Sequence, residues 1–83
     1  MYEVSLSPRA QKALRNLSSI NRKRVANSID NLAENPFPEG KKVKKLSAVP
    51  NGWRLRVGEI RILYTIEEKS IKIYKIKKRD DAY

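Results

Sequence analysis

The sequence of 83 residues contains no cysteine and no histidine. The absence of cysteine excludes a disulfide framework and a thiolate metal site, and without histidine a zinc site has almost no ligands to use. No stretch approaches the roughly 18 consecutive apolar residues of a membrane span, and the N-terminus MYEVSLSPRA lacks the apolar segment of a signal peptide. We therefore expect a cytoplasmic protein with no metal, no small-molecule cofactor and no membrane contact.

Acidic residues are also scarce, because nine Asp and Glu stand against nineteen Lys and Arg, for a net charge of +10. Residues 1–40 carry a net charge of +2, and residues 41–83 carry a net charge of +8. A charge this high and this uneven predicts an anionic partner, which could be nucleic acid, an acidic protein or an anionic membrane surface. The length allows a single domain, residues 1–83, with one modest core.

The first half of the chain has the pattern of a strand followed by two helices. Residues 2–6 alternate apolar and polar side chains, and Ser7-Pro8 supplies a hydroxyl N-cap followed by a proline in the first helical turn. Two apolar stripes at helical spacing follow. They are Ala10, Ala13, Leu14 and Leu17, and then Val25, Ile29, Leu32 and Ala33. The spacing predicts two helices, the second over about residues 20–34, packed as an antiparallel helical hairpin.

The second half has the pattern of a strand meander. Gly58-Glu59 is suited to a two-residue type II′ turn, because glycine adopts positive φ. The turn predicts three apolar pairs, Val57 with Ile60, Leu55 with Ile62, and Trp53 with Tyr64. In the simplest pairing of the next strand Lys75 falls opposite Ile62, which indicates a bulge or an edge position there. The predicted fold class is α+β, in which an N-terminal strand and a three-stranded meander form a four-stranded antiparallel sheet covered on one face by the helices.

The opposite face of this hairpin carries arginine. Arg54, Arg56 and Arg61 share it, and Arg56 lies directly across from Arg61. Like charges placed opposite one another are destabilising. The pair therefore suggests a site for an anion, although two exposed arginines can also separate into water. The basic run 41–45 and the tail 77–83 are expected to converge on the same face and to bind phosphates of a nucleic acid.

Permanent cations suit the cleavage of RNA, in which the ribose 2′-hydroxyl attacks the adjacent phosphate. Arginine stabilises the phosphorane through bidentate bonds to its oxygens. Tyr83 is a candidate base, since guanidinium groups nearby favour the phenolate form; the alternative is that it is only a C-terminal residue. Tyr74 and Tyr83 are the candidates for stacking on a base.

Several motifs in this order resemble the RelE/ParE toxin superfamily, and within it the RelE-like ribosome-dependent mRNA endonucleases. The resemblance covers nearly the whole chain. It is carried by Ser7-Pro8-Arg9-Ala10, Asn35-Pro36, Lys44-Lys45-Leu46, Trp53-Arg54-Leu55-Arg56-Val57-Gly58, Arg61-Ile62-Leu63-Tyr64 and Lys78-Arg79-Asp80-Asp81-Ala82-Tyr83. It implies the RelE-like microbial RNase fold and a metal-independent endoribonuclease, an mRNA interferase that inhibits translation by cleaving mRNA in the ribosomal A site.

The resemblance also implies roles for individual residues. Arg61 would stabilise the transition state, Arg79 would protonate or stabilise the leaving oxygen, and Tyr83 would act as base and stacking platform. The phosphate-binding candidates are Arg54, Arg56, Lys44, Lys45 and Lys78. Lys78 stands where many relatives have histidine. Arg54 and Arg56 stand where the best-known RelE has lysine, and because arginine keeps its proton, this replacement disfavours proton donation from positions 54 and 56.

The implied partners are the ribosome with mRNA in its A site and an acidic antitoxin that neutralises the basic surface. Two other functions remain open. A ParE-like inhibitor of DNA gyrase would use the same fold against a protein target. A non-catalytic nucleic-acid-binding module would bind with strong salt dependence and cleave nothing.

Overall fold

A computed structural model describes residues 2–35 and 43–78 of the chain. Two helices and five strands are present in these ranges. They are β1 (Glu3–Leu6), α1 (Pro8–Arg15), α2 (Ser19–Glu34), β2 (Val43–Lys45), β3 (Gly52–Val57), β4 (Ile60–Glu67) and β5 (Ser70–Lys78). The α+β class, the two helices and the meander β3–β4–β5 are as predicted.

The sheet differs from the prediction in strand number and direction. It has five strands in the order β1-β5-β4-β3-β2, and β1 pairs with β5 in parallel. The alternating pattern of residues 2–6 predicts a strand but carries no information about its direction. The additional strand β2 pairs antiparallel with β3, and it escaped prediction because only one of its three residues, Val43, is apolar. The predicted four-stranded antiparallel sheet is thus a five-stranded mixed sheet.

Both helices begin at serine caps. The Oγ atom of Ser7 accepts a hydrogen bond from the backbone N–H of Ala10 at 3.1 Å, and Pro8 occupies the first turn of α1. The Oγ atom of Ser18 accepts from the N–H of Asn21 at 3.3 Å. These bonds satisfy N–H groups that have no partner inside a helix. Helix α1 packs on β5, whereas α2 contacts β1 and β3. Ala10 of α1 and Val25 and Leu32 of α2 belong to one core cluster with the buried strand residues, so both helices cover the same side of the sheet.

The core lies between the helices and the sheet. Ten apolar residues are buried, namely Ala10, Val25, Leu32, Leu55, Ile60, Ile62, Tyr64, Ile71, Ile73 and Ile76. No polar or charged residue is buried in the described part of the chain. The predicted apolar face of the hairpin therefore packs on the helices, with Trp53 and Val57 half-buried at its margin.

The β3–β4 hairpin has the predicted turn and register. Gly58 has φ of +60°, and the three apolar pairs and the Arg56–Arg61 pair form as the turn requires.

A β-bulge interrupts the next pair of strands. Leu63 pairs with Lys75 but Tyr64 pairs with Ile73, so Tyr74 is the additional residue. Its carbonyl oxygen accepts a hydrogen bond from Ser7 Oγ at 3.2 Å. The bulge confirms the irregularity predicted around Lys75.

Candidate functional site

The face of the sheet opposite the helices, called the outer face below, carries a row of three cations next to the β3–β4 turn. Arg56 pairs with Arg61, and Arg61 pairs with Lys77. Directly opposed residues project to the same face with Cα atoms about 4.5–5.5 Å apart. Because Ile60 and Ile62 point into the core, Arg61 and its two partners point outward. Arg56, Arg61 and Lys77 form what we call the first cationic row.

A second row crosses the outer face two residues farther from the turn. Lys44 pairs with Arg54, Arg54 with Leu63, and Leu63 with Lys75. Two residues of an extended strand span about 6.6–6.8 Å. The second row therefore carries cations on β2, β3 and β5, with the uncharged Leu63 between them on β4.

The arginines of these rows lack anionic partners within the described ranges. Arg54, Arg56 and Arg61 form no ion pair with any carboxylate of residues 2–35 and 43–78. Arg54 Nε, Arg61 Nε and Arg61 Nη1 are buried without a hydrogen-bond partner among those residues. A buried donor left unsatisfied destabilises a fold by about 1–3 kcal/mol. Donors of this kind fit a ligand with several closely spaced oxygen acceptors, such as a phosphate group.

The other end of the outer face has a different electrostatic character. Lys72 Nζ lies 4.0 Å from Glu67 Oε2, and both side chains are more than half exposed. Two open depressions of about 710 and 670 Å³ adjoin at Asn51, and the first is lined partly by Glu67 and Glu68. Carboxylates repel a phosphate backbone, so this end is a poor anion site. Anion binding is favoured next to the β3–β4 turn.

The register separates the predicted lysines into two groups. Lys44 shares the outer face with Arg54. Lys45 instead pairs with Trp53, and Lys78 pairs with Ile60, which places both lysines on the helix side of the sheet. The structure therefore does not bring Lys45 and Lys78 to the cationic rows, although both are exposed.

Two of the predicted catalytic residues, Arg79 and Tyr83, lie outside the described residues. Tyr74, the other candidate for base stacking, is half-buried at the bulge, and burial raises the pKa of its phenol. Of the three predicted catalytic residues, Arg61 is the one whose surroundings are described.

The sequence-based site does not include Lys75 and Lys77, which the structure adds to the outer face. Without the bulge at Tyr74, the simplest pairing places Lys75 opposite Ile62 and points both lysines into the core. The bulge shifts the register by one residue and reverses their direction. The conflict between a lysine and a core position was the signal from which their outward orientation could have been inferred.

Residues 2–35 and 43–78 contain no group of three or more histidine, cysteine, aspartate or glutamate residues that could hold a metal ion. Within the same ranges, no helix has both the length and the apolar character needed to cross a membrane.

Comparison with known proteins places the chain in a family. Residues 4–83 match the family described as the ParE toxin of the type II toxin–antitoxin system parDE. The protein designated RelE1 of Methanocaldococcus jannaschii, a candidate toxin, is 32% identical over 85 residues, which cover 99% of this chain and 94% of that protein.

Solved structures of RelE proteins share the fold. The archaeal RelE–RelB complex from Pyrococcus horikoshii superimposes with a TM-score of 0.84 at 32% identity, covering 98% of both chains. The isolated RelE toxin of E. coli has a TM-score of 0.81 at 23% identity, covering 99% of this chain and 88% of the other, and shows similarity of fold alone. By its sequence and its fold, the chain belongs to the RelE/ParE superfamily of toxins from type II toxin–antitoxin systems.

Proposed function

We propose that this toxin is an endoribonuclease that cleaves mRNA in the ribosomal A site. The ribose 2′-hydroxyl attacks the adjacent phosphodiester and leaves a 2′,3′-cyclic phosphate, so the nucleophile belongs to the substrate. The observation that carries the proposal is the first cationic row, in which Arg61 has two buried N–H donors and no partner among the described residues. A scissile phosphate supplies the missing acceptors.

Arg61 holds the central position in this mechanism. Cations face it from both sides, Arg56 on β3 and Lys77 on β5. As the phosphorane forms, negative charge grows on its non-bridging oxygens, and a guanidinium already fixed in place stabilises that charge without reorganising. Removal of one such donor lowers the rate by about 10²–10³-fold in other enzymes. We expect a loss of this size for Arg61→Ala.

The remaining cations bind the RNA backbone on either side of the scissile phosphate. Arg54 and Lys44 in the second row are suited to a neighbouring phosphate, with Arg56 between them and the reaction centre. Lys45 and Lys78 lie on the helix side of the sheet and take no part in this arrangement. Arg79 is proposed to stabilise the leaving oxygen, and Tyr83 is proposed as general base and stacking platform.

The proposed protein partner is an antitoxin with an acidic toxin-binding segment. The complex of RelE with RelB from Pyrococcus horikoshii supports a partner of this kind. Residues 41–83 carry +8, and an acidic chain bound there would neutralise the surface that the RNA needs. Inhibition and catalysis would then compete for the same cations.

Primer extension on a translated mRNA after induction of the toxin tests the proposal. Wild type should produce cleavage within codons, only where ribosomes translate, whereas Arg61→Ala and Arg79→Ala should leave the transcript intact. Lys23→Ala, an exposed change on α2, is the matched control and should cleave like wild type. If the transcripts stay intact with both the wild type and the Lys23→Ala control, the proposed nuclease function is rejected.

A second candidate function is inhibition of DNA gyrase, favoured by the match to the family described from ParE toxins. A gyrase inhibitor would leave the mRNA intact, accumulate cleaved DNA and tolerate the loss of Tyr83. Intact mRNA and intact DNA, together with salt-dependent binding of nucleic acid, would instead indicate a non-catalytic binding module.

A further inference from the structure

Lys77 has a position on the outer face that its place in the sequence does not reveal. It lies directly across β4–β5 from Arg61, and it completes the first cationic row on the side away from Arg56. Lys77 as a whole is half-buried, and its Nζ atom is buried. A lysine held in this way has a defined position next to the phosphate that Arg61 would bind.

RNA cleavage needs a proton at this point of the site. When the bond between phosphorus and the 5′-oxygen breaks, the oxygen leaves as an alkoxide unless an acid protonates it. Arginine keeps its proton in proteins, so Arg56 and Arg61 stabilise charge but do not donate. The chain has no histidine to serve instead. The remaining candidates on the described outer face next to these arginines are lysines.

The register distinguishes among these lysines. Lys44 and Lys75 belong to the second row, about 6.6–6.8 Å along the strands from the first. A phosphate bound by Arg61 therefore has Lys77 as its neighbouring lysine in the same row.

We propose that Lys77 is the general acid of the reaction, an inference that rests on the proposed nuclease function. The 2′-oxygen forms its bond to phosphorus while the bond between phosphorus and the 5′-oxygen breaks, and the electron pair of that bond passes to the 5′-oxygen. The proton on Lys77 Nζ moves to this oxygen, leaving a neutral amine that regains a proton from water. The 2′-hydroxyl proton passes to the general base, for which Tyr83 is the candidate. The products are a 2′,3′-cyclic phosphate and a 5′-hydroxyl.

Two substitutions and a modified substrate test this role. Lys77→Arg keeps the positive charge but cannot release the proton, and Lys77→Met removes both while keeping much of the aliphatic stem. Single-turnover cleavage is measured on ribosomes carrying one of two mRNAs. One is natural, and the other has sulfur in place of the bridging 5′-oxygen at the cleavage position. A thiolate leaves without protonation, so this mRNA does not need the acid.

Both variants should cleave the natural mRNA about 10²–10⁴-fold more slowly than wild type, the range typical of general acid catalysis. On the sulfur-containing mRNA, both should cleave within about tenfold of wild type. Lys72→Arg is the matched control, because Lys72 also lies on β5, forms an ion pair with Glu67 at the far end of the face and has no proposed part in the reaction. It should behave like wild type on both substrates. Thermal unfolding of each variant verifies that the fold is retained.

The outcomes separate this inference from the function on which it rests. If wild type cleaves natural mRNA and Lys77→Arg cleaves it equally fast, Lys77 supplies only charge and the inference is wrong while the nuclease stands. If folded Lys77→Arg loses the same factor in cleavage rate on both mRNAs, the role of Lys77 as general acid is also rejected. If wild type cleaves neither mRNA, the proposed function itself is rejected and the inference with it.

Discussion

Replacing Arg61 with methionine should make the fold more stable. Arg61 is opposed by Arg56 on one side and by Lys77 on the other, so it belongs to two like-charge pairs. Methionine keeps a long aliphatic stem and removes the charge and the N–H donors. If the first cationic row exists to bind an anion, the free protein carries an energetic penalty there that this substitution relieves.

The size of the effect follows from the contacts. A favourable cross-strand pair stabilises a sheet by roughly 0.2–1 kcal/mol, and a like-charge pair destabilises it by a similar amount. Removing two like-charge pairs should therefore stabilise the fold by about 0.4–2 kcal/mol. The buried Nε and Nη1 atoms of Arg61, which have no partner among the described residues, add to the gain at about 1–3 kcal/mol for an unsatisfied group. Lost packing of the arginine stem offsets part of it. We expect a net gain of about 1–2 kcal/mol, or a rise in Tm of roughly 4–15 °C for a domain of this size.

The assay is thermal unfolding of the purified chain, followed by circular dichroism at low ionic strength without phosphate. Lys23→Met, at an exposed position on α2, is the control and should stay within about 0.5 kcal/mol of wild type. Phosphate added at about ten times its dissociation constant should stabilise wild type by about 1.4 kcal/mol through linkage. The same phosphate should stabilise Arg61→Met much less, because its central donor is gone.

A lower Tm for Arg61→Met than for Lys23→Met would refute this reasoning. Arg61 would then stabilise the free fold, and its role would be structural. Equal stabilisation of wild type and Arg61→Met by phosphate would refute the anion site separately, since the bound phosphate would not depend on Arg61.

Three further substitutions address the scaffold of the site. Ser7→Ala should destabilise the fold by about 0.5–2 kcal/mol in urea unfolding, because Ser7 caps α1 and bonds the bulged carbonyl of Tyr74; an unchanged midpoint would contradict both roles. Gly52→Ala should cost about 1–3 kcal/mol in the same measurement, since an added Cβ would lie 2.7 Å from Cβ of Val49, and a neutral result would mean that the Val49 loop moves freely. Burial raises the pKa of Tyr64 to about 12 from 10.0, so its stabilising contribution is complete below pH 10 and is lost as the pH rises towards 12. Wild type should therefore lose about 2 kcal/mol more than Tyr64→Phe over that interval, and parallel pH profiles would show that folding does not raise the pKa of this phenol.

The hairpin shows how far sequence reasoning can reach. The type II′ turn at Gly58 fixes the register of β3 and β4, and the register decides which side chains share a face. The pairing of Arg56 with Arg61 is therefore predictable from the turn residues alone. The helix caps at Ser7 and Ser18 are local in the same sense, since each depends on residues within one turn.

Non-local pairing is where the prediction was incomplete. The pattern of residues 2–6 cannot distinguish a parallel from an antiparallel neighbour, so the pairing of β1 with β5 was missed. Strand β2 is only three residues long, and its two lysines hide the alternation. Its pairing with β3 nevertheless separates Lys44 from Lys45, one on each face.

The bulge at Tyr74 connects local structure with non-local pairing, because it decides which residues lie on each face of β5. With regular pairing after the β4–β5 turn, Ile76 would point outward and Lys77 would point into the core. One inserted residue reverses both, so that Ile76 is 5% exposed in the core and Lys77 stands opposite Arg61. The hydrogen bond from Ser7 Oγ satisfies the bulged carbonyl. The same local irregularity therefore completes the hydrophobic core and the first cationic row, and a change that removes it should impair both stability and the proposed cleavage of mRNA.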